Sequence, residues 1–102
     1  MRTTPIYHAI ETPLIFLAHV RRTSTRALVE TLLPGEHIFY EIFNSAGASV
    51  ATGSDASEIT YQGNGTWAAQ VGPFPVGHYR VKWTVNVGGG VAEDDDHFRV
   101  VA

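Results

Sequence analysis

Between residues 79 and 87 apolar and polar positions alternate without a break. Tyr79, Val81, Trp83, Val85 and Val87 are interleaved with Arg80, Lys82, Thr84 and Asn86, and His78 precedes them. Successive side chains of a strand point to opposite faces, so this pattern predicts a strand with one buried and one wet face. Gly88-Gly89-Gly90 then supplies a turn that tolerates positive φ. The chain resumes at Val91, and Phe98 and Val100 alternate with His97 and Arg99. The two runs predict a hairpin.

The same period of two recurs upstream. Residues 14–21 form a strand candidate that is apolar on both faces at its start. Residues 37–43 set Ile38, Tyr40 and Ile42 against Phe39, Glu41 and Phe43. Asn44-Ser45-Ala46-Gly47 is a turn signal, followed by a short return strand over 48–51. Residues 58–62 place Ile59 and Tyr61 on one face, and Gly63-Asn64-Gly65 turns the chain into a strand over 66–71. Pro73, Pro75 and Gly77 break the next stretch. Residues 25–33 carry Leu28, Leu32 and Leu33 at helical spacing. Pro34-Gly35 stops them after two turns, so a short helix and an extended connection stand as equal alternatives. About seven short, mainly antiparallel strands with turns every ~8–12 residues predict an all-β, immunoglobulin-like β-sandwich. Residues 12–102 form that domain, and residues 1–11 a first edge strand or an N-terminal arm.

Four residues are expected to determine the fold: Gly77, Tyr79, Val81 and Trp83. In immunoglobulin-like domains a tyrosine near the start of a late strand bonds backbone at a sandwich corner, and a core residue follows two positions later. Tyr79 and Val81 fit those places, with Gly77 two residues ahead; an ordinary strand tyrosine is the alternative. Trp83 shares their face and reads as core, with a ligand platform as the alternative. Trp67 follows a glycine turn and suits either the core or an interface.

Composition narrows the function. The chain has 102 residues, enough for one domain with one core. A net charge of −3 offers no general attraction to nucleic acid. No apolar run approaches the ~20 residues of a membrane span. There is no cysteine, hence no disulfide and no cysteine-ligated metal. No signal peptide is visible, and both features point to synthesis in the cytoplasm.

Candidate chemistry is sparse. His8, His19, His37, His78 and His97 show no metal-ligand spacing, and solvated or singly bonded histidines are expected. Glu93-Asp94-Asp95-Asp96 lacks the spacing of a calcium loop. It reads as a solvated acidic loop, with contact to a basic partner or Ca²⁺ as alternatives. Arg21, Arg22 and Arg26 read as solvated. Ser24, Ser45, Ser49, Ser54 and Ser57 form no nucleophile elbow. No enzyme, cofactor, metal or small-molecule substrate is therefore expected. Phe74-Pro75-Val76 is a short apolar stretch in a loop, either a plug at the sandwich end or a partner contact. Ile6 and Tyr7 in the N-terminal segment are the other candidate contacts.

The order Ile42-Phe43-Asn44-Ser45-Ala46-Gly47, Gly63-Asn64-Gly65-Thr66-Trp67, Gly77-His78-Tyr79-Arg80-Val81-Lys82-Trp83 and the closing Phe98-Arg99-Val100 resembles small immunoglobulin-like structural proteins of tailed bacteriophages. The resemblance spans roughly residues 12–101 and rests on fold motifs. It implies a virion component that binds phage coat or other virion proteins, or copies of itself. A capsid decoration or minor head protein is the leading expectation, and a neck or tail component the next. A cellular immunoglobulin-like module that binds protein or carbohydrate is the rival, and exposed tryptophans would favour carbohydrate.

Overall fold

The computed structural model describes residues 4–18, 20–22, 25–87 and 90–102. Among these residues are eight strands: β1 (Ile6–His8), β2 (Leu14–Leu17), β3 (His37–Phe43), β4 (Ser49–Ser54), β5 (Ile59–Gly63), β6 (Thr66–Gln70), β7 (Gly77–Val87) and β8 (Gly90–Val101). They form a five-stranded sheet in the order β1-β8-β7-β3-β4 and a three-stranded sheet in the order β2-β6-β5. Every pairing is antiparallel except β1 with β8, which is parallel. The fold is the expected all-β, immunoglobulin-like sandwich.

The alternation sorts the faces. Ile38, Tyr40 and Ile42 of β3 and Tyr79, Val81, Trp83 and Val85 of β7 are buried. Across from them lie Ile15 and Leu17 of β2, Ile59 of β5, and Trp67 and Ala69 of β6. Local chemistry closes the turns. Asn44 Oδ1 accepts the Ala46 and Ala48 N–H groups, each at 3.0 Å, between β3 and β4. At the crossing from one sheet to the other, Asp55 Oδ1 accepts the Ile38 N–H at 2.9 Å.

Residues 25–33 are not helical. Leu28 bridges Arg21, and the Trp67 Nε1–H donates to the Val29 carbonyl at 3.1 Å. That buried bond and the fully buried Val29 hold the segment extended against the small sheet. Arg22 is not solvated as expected, because Glu36 receives two of its guanidinium nitrogens. That hydrogen bond first, and the charge of Glu36 with it, push the Arg22 pKa upward. The turn expected at Gly88-Gly89-Gly90 has Gly88 and Gly89 outside the described residues, as are His19, Ser24 and residues 1–3.

Strand length sets the shape. β7 and β8 run 11 and 12 residues, while the strands of the small sheet run four or five. At ~3.3 Å per residue the hairpin is about twice as long as the sheet packed on it. The molecule measures 44 × 26 × 22 Å, and Val85 and Val87 toward the far end of β7 still pack on the core.

Candidate functional site

Tyr79 donates from its hydroxyl to the Pro75 carbonyl at 2.6 Å, and its ring stacks on Phe98 with centroids 5.1 Å apart. Burial pushes the Tyr79 pKa upward. Gly77 opens β7 beside the ring, where a Cβ would make ordinary contact. Phe74 fills the corner, 5.1 Å from Tyr79 and 5.8 Å from Phe98, so it is core and not partner surface. Pro75 and Val76 remain exposed. Trp67 and Trp83 are both buried. Trp83 meets the Tyr40 ring edge-on at 5.8 Å, yet its Nε1–H has no acceptor among the described residues.

The sandwich is open on the side where β8 and β1 of the large sheet face β2 of the small one. Ile15 and Leu17 of β2 point into the core, whereas Leu14 and Phe16 are 40% and 49% exposed. A recess of about 140 Å³ lies there, with Leu14, Phe16 and Tyr7 at one wall, Asp96 and His97 at the other, and Trp83 contributing to its lining. Tyr7 straps the two sheets. Its hydroxyl donates to the Leu14 carbonyl at 3.1 Å, and its ring meets Phe98 edge-on at 6.0 Å. Ile6, one residue earlier, is 60% exposed on the opposite face of β1.

The acidic run is not a loop. It lies in β8, with Glu93, Asp94, Asp95 and Asp96 opposite Thr84, Trp83, Lys82 and Val81. On the outer face Lys82 pairs with Glu93 at 2.8 Å and Arg80 with Asp95 at 3.0 Å. The hydrogen bond that Lys82 donates to the Glu93 carboxylate is the main reason the Lys82 pKa is raised. Arg80 also lies over the Phe43 ring, 4.4 Å from its centroid. Asp94 and Asp96 point the other way, toward the open side. Asp94 has no partner among the described residues, and Asp96 accepts only the His97 N–H at 2.9 Å.

Two other depressions mark the surface. One, of about 450 Å³, lies over Phe39, Glu41, Thr52 and Lys82 on the large sheet. The other, of about 260 Å³, lies beside Val50 and Val76.

Among the described residues no three His, Cys, Asp or Glu side chains come together as a metal site. The described histidines are dispersed. His8 Nδ1 lies 3.3 Å from the Ala102 carbonyl, and His37 Nδ1 lies 3.4 Å from Asp55. His78 and His97 sit opposite Arg99 and Arg80 in the ladder, where neighbouring positive charge opposes a cation.

Leu14 and Phe16 were not among the candidates read from the sequence, and Asp94 and Asp96 were read only within the acidic run, where a basic partner was one alternative. The signal was present in two places. β2 begins apolar on both faces, and the period of two through Phe98 and Val100 carries Asp96 and Asp94 onto the same, core-side face.

No protein-family model and no curated protein matches the chain. Among solved structures it is similar to the crystal structure of CopC from Methylosinus trichosporium OB3b. The TM-score is 0.61 at 19% identity, covering 97% of this chain and 84% of that one. At that identity the likeness is one of fold. The expectation of a virion part is corrected on that finding, since the matching solved structure is CopC and not a phage structural protein. The expected capsid decoration, its neck and tail variants and the virion location are set aside on that finding.

Proposed function

We propose that this chain is a non-enzymatic binding module that docks a protein partner on the open side of its sandwich. The observation that carries the reading is the exposure of Leu14 and Phe16 beside the recess. The other face of β2 is spent on the core, so these two side chains contribute nothing to folding that a polar residue would not supply more cheaply. Apolar groups grouped at a concave site are the mark of a contact surface.

Two other readings are weaker on these residues. Carbohydrate recognition would use exposed aromatic platforms, and both tryptophans are inside. Copper binding, the property of the structural neighbour, requires a ligand set that the described residues do not assemble.

A photoreactive residue placed at Phe16 tests the docking site. In the cells that make the protein it is expected to yield discrete protein adducts that Leu14→Asp suppresses, while the same group at Val50 yields none. Equal labelling from both positions would reject the docking site. Stoichiometric Cu(II) uptake with quenching of the tryptophans would replace this reading with that of a copper carrier.

A further inference from the structure

The backbone of β8 extends the site. Arg99 N–H donates to the Pro5 carbonyl and Ala9 N–H to the Val101 carbonyl, both at 2.9 Å. Odd-numbered residues of β8 therefore direct their backbone groups toward β1, and even-numbered residues bond β7. The β1 ladder covers only Arg99, Val100 and Val101. Continued along the strand, the alternation leaves Val91, Glu93 and Asp95 presenting N–H and C=O to a side that no described strand occupies. At His97 that N–H is closed off by the Asp96 carboxylate.

The charge along this edge selects what can pair with it. A second copy would bring two acidic runs together, and like charges on adjacent strands oppose pairing. Glu93 and Asp95 are already neutralised across the sheet by Lys82 and Arg80. Asp94 and Asp96 are not, and they stand on the core side of the edge. The buried Nε1–H of Trp83, opposite Asp94 in the ladder, is a second group that lacks a partner among the described residues.

Resting on the protein-binding reading, we infer that the free edge of β8 accepts an extended basic segment of another protein as an added strand. Lysine or arginine side chains of that segment face Asp94 and Asp96. Toward Phe98 an apolar side chain on the same face enters the recess between Tyr7 and Phe16. Main-chain bonds supply the attachment and alternate side chains the selectivity, as in other strand-addition complexes.

The full chain, isotopically labelled, is titrated with a short peptide whose every second residue reads lysine, lysine, valine along one face with threonine between, and separately with the same peptide carrying glutamate in place of lysine. The basic peptide is expected to slow amide exchange at Val91, Glu93 and Asp95 and to bind less well as salt rises; the acidic peptide is expected to do neither. Asp94→Asn with Asp96→Asn should weaken the basic peptide about fivefold, the scale of two exposed ion pairs. Glu93→Pro removes an N–H on the open side and spares the bonds to β7, a place where an edge strand tolerates proline. It should abolish binding with the spectrum of the fold retained; the asparagine pair decides the matter if it does not fold.

Equal binding of both peptides, or binding untouched by the asparagine pair, overturns the inference. So does slow exchange of these amides in the dilute free chain, which would mean that its own residues already close the edge. Photo-adducts from position 16 without any effect of the peptides would remove strand addition alone. Loss of the adducts as well would remove the protein-binding reading with it.

Discussion

Two tryptophans of similar burial differ in one bond. Trp67 donates to the Val29 carbonyl, whereas Trp83 has no acceptor among the described residues. Replacing either by phenylalanine removes similar volume. Trp67→Phe also strands a buried carbonyl, at a cost of about 1–3 kcal/mol, while Trp83→Phe relieves an unpaired donor. Trp67→Phe is therefore expected to be the more destabilising in urea titrations, and the reverse order would mean that Trp83 has a partner in solution. Tyr79 offers a second test. Tyr79→Phe keeps the stack on Phe98 and loses the bond to Pro75, for an expected loss of about 1 kcal/mol. Burial raises the pKa of Tyr79, and burial with the nearby Glu58 raises that of Tyr40. Their contribution to stability is complete below the ordinary tyrosine value of 10.0 and is lost as pH climbs through the raised folded-state values. Phenolate absorbance followed against pH should show these two rings ionising together with unfolding.

At the scale of elements, turns and strand lengths divide the labour. Gly47 and Gly65 both adopt positive φ, 81° and 71°. A Cβ at Gly47 would meet nothing within 4 Å, while one at Gly65 would press on Leu28 and the Val20 carbonyl. Gly47→Ala should cost about 1–2 kcal/mol of backbone strain. Gly65→Ala should cost measurably more, since that hairpin tip also holds the β2–β3 connection through the Val20 N–H at 2.8 Å. Thermal melts of the two variants check the order. Trp83 lies on β7, flanked by β8 and β3, and is sealed, whereas Asp94 opposite it lies on β8, which β1 pairs only at Arg99–Val101, and is exposed.

The whole molecule is a sandwich closed at one corner by Phe74, Tyr79 and Phe98 and left open along β2 and β8. Its acidic edge is expected to keep it monomeric. Glu93→Gln, Asp94→Asn, Asp95→Asn and Asp96→Asn together should produce concentration-dependent association in sedimentation, because an uncharged free edge pairs with its own copies. A variant that stays monomeric at high concentration would show the edge already covered. Strand identity and buried face were legible where apolar and polar residues alternate, as in residues 37–43 and 79–87, since alternation is local and has a period of two; the acidic part of β8 carries no apolar position and read as a loop. The corner at Tyr79 was legible for the same reason, as its spacing lies within one strand. The phage resemblance drew on those fold motifs alone, and motifs that specify a sandwich carry little about its use. The open side was decided only in the tertiary structure. It depends on how far β1 reaches along β8, and on how much longer β8 is than β2, pairs remote or unconnected in the chain. Local alternation places Asp94 and Asp96 on the core-side face of β8, but only the sheet order, with β1 pairing β8 no further than Arg99–Val101, decides that they stand at an open edge.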